Sequence, residues 1–132
     1  MSRFVFINMV TKDVAAARKF YSGIGFEINE AFSTDKNVFV SLSDTTQIIL
    51  SSEEFLRSLG ESREFADAWK TTEASLAVSM SSREEVDALF EAAIKAGGKP
   101  FGETVEEVEI GLYARAFSDL DGHKIDINYM PM

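Results

Sequence analysis

Cysteine is absent from this 132-residue sequence, and histidine occurs once, as His123. The absence of cysteine excludes thiol nucleophiles, disulfides and cysteine-ligated zinc or iron–sulfur centres. A single histidine excludes every metal site that needs two histidines from one chain, such as the two-histidine, one-carboxylate iron site. Chemistry in this protein must therefore depend on carboxylates, amides, hydroxyls, lysine, arginine or a bound cofactor. The lack of cysteine also fits a cytoplasmic location.

Basic residues and long apolar runs are also scarce. The sequence has 13 Lys and Arg against 22 Asp and Glu, which gives a net charge of −9. Nucleic-acid binding rests on clustered basic residues, so a nucleic-acid partner is not expected. No apolar run reaches the length that spans a bilayer, so a membrane partner is not expected either. With two prolines and 45% hydrophobic residues, the chain is expected to fold as one domain.

Two parts of the sequence share the pattern β-α-β-β-β. In the first part, Asp13 precedes an apolar helical pattern that ends at Gly23 and Gly25, as an N-cap and a glycine C-terminus predict. In the second part, Ser82 and Glu85 have capping-box spacing and Gly97 ends the helix. The strands predicted around the two helices are 4–10, 26–32, 37–42 and 47–51, then 75–80, 99–105, 110–117 and 124–130. The second pattern follows the first by about 70 residues, which indicates internal duplication.

A connector separates the two patterns. We predict one domain, 1–132, with module one at about 1–51, the connector at about 52–72 and module two at about 73–132. Ser51 and Glu54 have capping-box spacing for a first short helix, and the apolar residues Phe65 and Trp69 continue a second short helical pattern. The connector is therefore expected to hold one or two short helices.

The duplicated pattern resembles the vicinal oxygen chelate superfamily, which includes glyoxalase I, bleomycin-resistance proteins and extradiol dioxygenases. The stretches that carry the resemblance are 10–27, 82–99 and 117–130. The opening at 7–13 and the start of the second helix at 82–87 are similar to a poorly characterised glyoxalase-like bacterial branch. The resemblance implies an α+β fold in which two tandem βαβββ modules form a curled, mostly antiparallel sheet cup. It also implies a homodimer, because subunit pairing often completes the cup in this superfamily.

Metal ligands in the superfamily come from strands one, four, five and eight. The corresponding positions here are Phe6, Ile49, a position near Ser75, and Asp126, so only the last carries a carboxylate. Polar alternatives lie on the same faces as the first two positions, namely Asn8 and Gln47. Since a catalytic divalent ion usually needs three or more protein ligands, we expect no cofactor, and a weak divalent-metal site at Asp126 is the alternative.

Asp126 is the candidate catalytic residue, because a carboxylate inside an apolar cup is costly unless it is paired or used. The alternative is that Asp126 is solvated on an exposed strand face. Candidate ligand-binding residues are those with amide, aromatic or guanidinium groups on predicted strands or the connector. They are Asn8, Gln47, Trp69, Tyr113, Arg115 and Asn128. Each has a structural alternative: a satisfied sheet amide, a core aromatic or a structural salt bridge. His123 follows Asp121-Gly122 and is expected to serve turn geometry rather than catalysis.

Three functions remain open from the sequence. The first is a small-molecule-binding protein without a metal, for which the net charge of −9 favours a cationic ligand. The second is a glyoxalase-like lyase or isomerase in which Asp126 and neighbouring amides hold a divalent ion. The third is an interaction module that retains only the fold. Whether the protein is an enzyme stays open at this point.

Overall fold

A computed structural model describes residues 3–131. The chain separates into two compact units, one ending at Ala66 and the other beginning at Asp67. This division falls inside the segment 52–72, which the sequence predicts as a connector. We refer to the two units as module one and module two.

Module one contains a four-stranded sheet with the order β1-β4-β3-β2. β1 pairs with β4 in parallel, whereas β4 with β3 and β3 with β2 are antiparallel. Because parallel neighbours need a crossover, the chain between β1 and β4 passes through a helix before it returns to the sheet. The elements are β1 (Val5–Val10), α1 (Val14–Gly23), β2 (Glu27–Ile28), β3 (Asn37–Ser41), β4 (Thr46–Ser51) and α2 (Glu53–Ser58).

Helix α1 covers one face of this sheet. The Asp13 side chain caps the helix by accepting a hydrogen bond from the Ala16 N–H, as the sequence predicts. Ala17, Phe20 and Tyr21 form the buried stripe of α1. The sheet residues that alternate toward the helix are also fully buried: Val38, Val40, Ile48 and Leu50. The opposite face, which we call the helix-distal face of module one, is therefore the one available for other roles.

Module two repeats this topology. Its sheet has the order β5-β9-β8-β6, with β5 and β9 parallel and an additional strand, β7, paired with β8. The elements are β5 (Ser75–Ser79), α3 (Arg83–Lys95), β6 (Lys99–Pro100), β7 (Val105–Glu107), β8 (Leu112–Ser118) and β9 (Lys124–Tyr129). The predicted α+β fold with two tandem βαβββ modules is thus confirmed.

Helix α3 covers one face of the second sheet. Val86 and Ala93 are its buried residues, and the buried sheet residues opposite them are Phe117, Ile125 and Ile127. Ser82 caps the helix by accepting from the Glu85 N–H, as predicted. The remaining face, which we call the helix-distal face of module two, carries the alternate residues of β5, β8 and β9.

Three local predictions were wrong. The strand expected at 26–32 is only Glu27–Ile28, and the strand expected at 99–105 is split between β6 and β7. Ser52, not Ser51, caps α2, since Ser51 still belongs to β4. Of the one or two short helices predicted for the connector, one forms, which is α2. The second helical pattern forms a turn, because its residues hydrogen-bond to the side chain and carbonyl of Asp67.

No helix among residues 3–131 combines the length and the hydrophobicity that a membrane crossing requires.

Trp69 packs on the turn between β8 and β9. Gly122 in that turn has φ of +89°, and a Cβ there would lie 2.8 Å from both the backbone N and Cδ2 of Trp69. A side chain at position 122 would therefore be strained twice, by the backbone conformation and by this contact.

Replacing Gly122 with Ala is expected to lower the free energy of unfolding by about 1–3 kcal/mol. Gly60→Ala is the matched control, because Gly60 also has a positive φ but a Cβ added there would meet nothing within 4 Å. Urea unfolding followed by the fluorescence of Trp69, the single tryptophan, measures both variants. Equal losses in the two variants would show that the Trp69 contact contributes nothing.

Candidate functional site

The helix-distal face of module one contains the positions at which the resemblance places metal ligands. Phe6 lies beside Gln47, and Asn8 lies beside Ile49, because β1 and β4 pair in this register. Phe39 of β3 is the next neighbour of Ile49 on the same face. Two of the predicted binding residues, Asn8 and Gln47, are thus brought onto one face together with Phe6.

Four phenylalanines form an aromatic cluster on this face. The ring of Phe6 lies 6.3 Å from that of Phe4 and 6.2 Å from that of Phe39, and Phe32 lies 6.0 Å from Phe39. Phe4, Phe6 and Phe32 are 59%, 45% and 62% exposed. Rings that are in mutual contact yet so exposed offer flat apolar surface to a planar ligand.

The polar groups of β4 on this face differ in their hydrogen bonds. Gln47 is buried, and its Oε1 accepts a long hydrogen bond of 3.4 Å from Nδ2 of Asn29. Ser51 is 1% exposed, and its Oγ has no hydrogen-bond partner among residues 3–131. A buried hydroxyl without a partner is destabilising.

The helix-distal face of module two carries Asp126 and Asn128, both partly exposed. Lys124 lies on the same face, and its Nζ is 3.8 Å from Oδ2 of Asp126. The Lys124 and Asp126 side chains are 27% and 28% exposed. Asp126 is therefore neither fully solvated nor buried without a partner, because Lys124, which is buried to a similar extent, accompanies it.

A pocket of about 220 Å³ opens beside this ion pair. Its floor is formed by the small residues Ala114 and Ala116 of β8, which pair with Asn128 and Asp126 of β9. Phe101, Gly102, Glu103 and Val105 form its walls.

Tyr113 and Arg115 lie on the other face of this sheet, against α3. Nη1 of Arg115 donates to Oδ1 of Asp87 at 3.0 Å, and the hydroxyl of Tyr113 donates to the same oxygen at 2.6 Å. The guanidinium of Arg115 also stacks over Phe90, 3.8 Å from the ring centroid. The structure therefore places the Tyr113 and Arg115 side chains on the sheet face opposite Asp126, and any binding role for them stays a prediction.

The pKa values of this network follow from its hydrogen bonds. The bond from Tyr113, with a further one from Arg115, lowers the pKa of Asp87 below its usual range. The same bond raises the pKa of Tyr113, because ionisation of the phenol would remove the donated proton and place two negative groups together.

Three residues at the β8–β9 turn form a group that could hold a metal ion. The ligand atoms of Asp119, Asp121 and His123 lie within 4.8 Å of one another. However, Oδ1 of Asp119 already accepts hydrogen bonds from the N–H groups of Asp121 and His123. This arrangement is an Asx-type turn, and it gives His123 the turn role that the sequence predicts.

The donor atoms at the family-type ligand positions decide whether a metal ion fits there. Phe6 and Ile49 offer none, and Ser75 offers only a hydroxyl. Asp126 supplies the one carboxylate at these positions, and Lys124 accompanies it. This donor set does not fit a catalytic divalent ion, which needs three or more oxygen or nitrogen ligands.

Sequence reasoning missed Lys124, Phe101 and Asp87. Lys124 was detectable, since it lies two residues before Asp126 on a strand and so shares its face. Asp87 could have been inferred only from the packing of α3 on β8. Nothing in the local sequence indicated the contact of Phe101 with Lys124, whose Nζ is 4.7 Å from the ring centroid.

Comparisons with known proteins agree with this architecture. The family model "Bleomycin resistance protein-like N-terminal" matches residues 3–43. Comparison with curated proteins finds no match. A glyoxalase/bleomycin resistance protein/dioxygenase family enzyme from Burkholderia phytofirmans is similar with a TM-score of 0.80 and 21% identity, covering 98% of this chain and 100% of that one.

Two further solved structures show the same fold. A hypothetical protein from S. aureus has a TM-score of 0.78 and 25% identity, over 98% of this chain and 94% of that one. The fosfomycin resistance protein FosX from Listeria monocytogenes has a TM-score of 0.69 and 20% identity, over 100% of this chain and 96% of that one. The chain thus has the fold of the vicinal oxygen chelate superfamily, and the family-model match in module one supports the same assignment.

Replacing Asp87 with Asn is expected to lower the free energy of unfolding at neutral pH by about 1 kcal/mol, since a charged hydrogen-bonded pair is lost from a half-exposed site. Because the pKa of Asp87 is lowered in the folded state, its contribution is present above the usual carboxyl pKa and is lost as pH falls through the lowered pKa. The raised pKa of Tyr113 acts oppositely: its contribution is present below the usual phenol pKa and is lost as pH rises through the raised value.

Chemical denaturation across pH compares the wild type, Asp87→Asn and Tyr113→Phe. Glu91→Gln, an exposed change on the same helix, is the control. A difference between wild type and Asp87→Asn that does not shrink in acid would contradict the assigned network.

Proposed function

We propose that this protein binds a small organic molecule on the helix-distal sheet faces and does so without the metal ion of its superfamily. The observation that carries the proposal is the exposed aromatic cluster centred on Phe6, at a position where the resemblance places a metal ligand. A phenyl ring cannot coordinate an ion, but it can stack on an aromatic ligand.

Two further observations support binding. In module two, the pocket beside Asp126 combines two charged groups with an apolar wall, which is typical of small-molecule sites. The names of the structural relatives include bleomycin and fosfomycin resistance, which also fits recognition of small molecules.

The net charge of −9 favours a cationic ligand, because the overall field attracts positive molecules. We propose this preference for ligands of the aromatic cluster. The homodimer that the resemblance implies stays a prediction, which analytical ultracentrifugation would test.

Binding is tested with benzylamine, benzyl alcohol and benzoate, which share a ring and differ in charge. We expect measurable binding by NMR titration, with benzylamine tighter than benzoate and the difference reduced at high salt. Phe6→Ala is expected to weaken binding about 2–10-fold, from the loss of one ring contact. Leu59→Ala, an exposed apolar change outside the cluster, is the control. Absence of binding by all three compounds and by a wider aromatic panel would refute the proposal.

Elemental analysis of the purified protein tests the metal-free part separately. We expect substoichiometric divalent metal, because the donor set around Asp126 lacks three ligands. One equivalent that Asp126→Asn removes would instead support the glyoxalase-like lyase or isomerase. One equivalent that His123→Gln removes but Asp126→Asn does not would place the ion at the β8–β9 turn.

A further inference from the structure

The ion pair of Lys124 and Asp126 leaves hydrogen-bonding positions of both charged groups available for a ligand, although the ammonium of Lys124 also lies over the ring of Phe101. The distance of 3.8 Å between Nζ and Oδ2 exceeds that of a hydrogen bond. Among residues 3–131, no hydrogen bond is formed by the ammonium of Lys124 or the carboxylate of Asp126, although both are about three-quarters buried. The ammonium retains three donors and the carboxylate its acceptor positions.

The pocket is lined by charges of both signs, which disfavours a ligand that is purely cationic or purely anionic. A purely cationic molecule that reaches Asp126 also meets the ammonium of Lys124, and a purely anionic one at Lys124 meets Asp126 and Glu103. Arg115 borders the same pocket, but its guanidinium is held by Asp87 on the other face of the sheet. A molecule with both charges would satisfy both groups at once, with its cation on Asp126 and its anion on Lys124.

The size and the walls of the pocket narrow the ligand further. A volume of about 220 Å³ lies below the range of about 300–1,000 Å³ typical of drug-sized ligands, so the ligand must be small. The walls include the side chains of Phe101 and Val105, which are 39% and 46% exposed. An apolar side chain of a ligand would cover them.

From this geometry we propose that the module-two pocket binds a free α-amino acid with an apolar side chain, with its ammonium on Asp126 and its carboxylate on Lys124. This inference rests on the proposed small-molecule function and names the ligand class of one of its sites. For this pocket we therefore expect a ligand with both charges, whereas the net charge of the protein favours a cationic ligand at the aromatic cluster.

Three molecules with one carbon skeleton provide the test: L-leucine, isoamylamine, which lacks the carboxylate, and 4-methylpentanoate, which lacks the ammonium. Each titration is followed by the backbone amide NMR signals of the residues that line the pocket. We expect L-leucine to bind at least about tenfold more tightly than either analogue, because each analogue leaves one charge unpaired. Equal affinities for the three molecules would overturn the proposal.

Variants assign the two ends of the ligand. Asp126→Asn should abolish the preference for L-leucine over 4-methylpentanoate, and Lys124→Gln the preference over isoamylamine. Lys95→Gln, on the exposed side of α3, is the control and should bind as the wild type does. Wild-type selectivity in both pocket variants would also overturn the proposal, and thermal unfolding confirms that each variant is folded.

The outcomes separate this inference from the proposed function. If the benzyl compounds bind and shift signals near Phe6 while L-leucine shifts none near Asp126, small-molecule binding stands and the amino-acid site is refuted. If neither series binds, both are refuted.

Discussion

The parallel pairing of the first and last strands within each module is the constraint on which the remaining structure depends. β1 lies beside β4 and β5 beside β9, so the chain must cross over between them, and it does so through α1 and α3. Each helix buries one face of its sheet. Since side chains alternate along a strand, every second residue is then directed away from the core. Phe6 and Asp126 both occupy such positions, which is why neither contributes to the buried core of its module.

Two aspartates in module two show how the same side chain acquires different roles on the two faces. Asp87 lies on α3 and faces the sheet, where its carboxylate accepts two hydrogen bonds from side chains of β8. Its charge therefore helps to hold the helix on the sheet. Asp126 faces away from α3, and its partner Lys124 is too distant for a hydrogen bond. A paired carboxylate stabilises the fold, whereas one with free acceptor positions can bind a ligand at little structural cost.

The side chains at the ligand positions of the superfamily do not fit a metal ion in this chain. The side chains of Phe6 and Ile49 are hydrocarbons without a donor atom. The carboxylate of Asp126, the only one at these positions, is paired with the ammonium of Lys124. The carboxylate of Asp119, by contrast, lies beside another acid and His123, but it accepts two backbone N–H bonds that shape the β8–β9 turn. Three aspartates of this module therefore serve different roles: Asp119 shapes a turn, Asp87 joins a helix to the sheet, and Asp126 borders a pocket.

The sequence by itself determined the duplicated β-α-β-β-β order, both helix caps at Asp13 and Ser82, and the absence of a two-histidine or thiolate centre, because these follow from local periodicity, local hydrogen bonding and composition. It also placed Asp126 and Asn128 on one strand face, since alternation is a local rule. It did not determine that β2 is short, that a turn forms at Asp67, or that Tyr113 and Arg115 hydrogen-bond to Asp87 instead of lying beside Asp126. The short β2 and the pairing of Tyr113 and Arg115 with Asp87 depend on partners distant along the chain. The turn at Asp67 is local, but side-chain hydrogen bonding there competes with helix formation. Only the tertiary structure decided that Phe101 borders the pocket beside Asp126, because Phe101 and Asp126 lie on segments separated by β7 and β8, which meet only when the sheet is assembled.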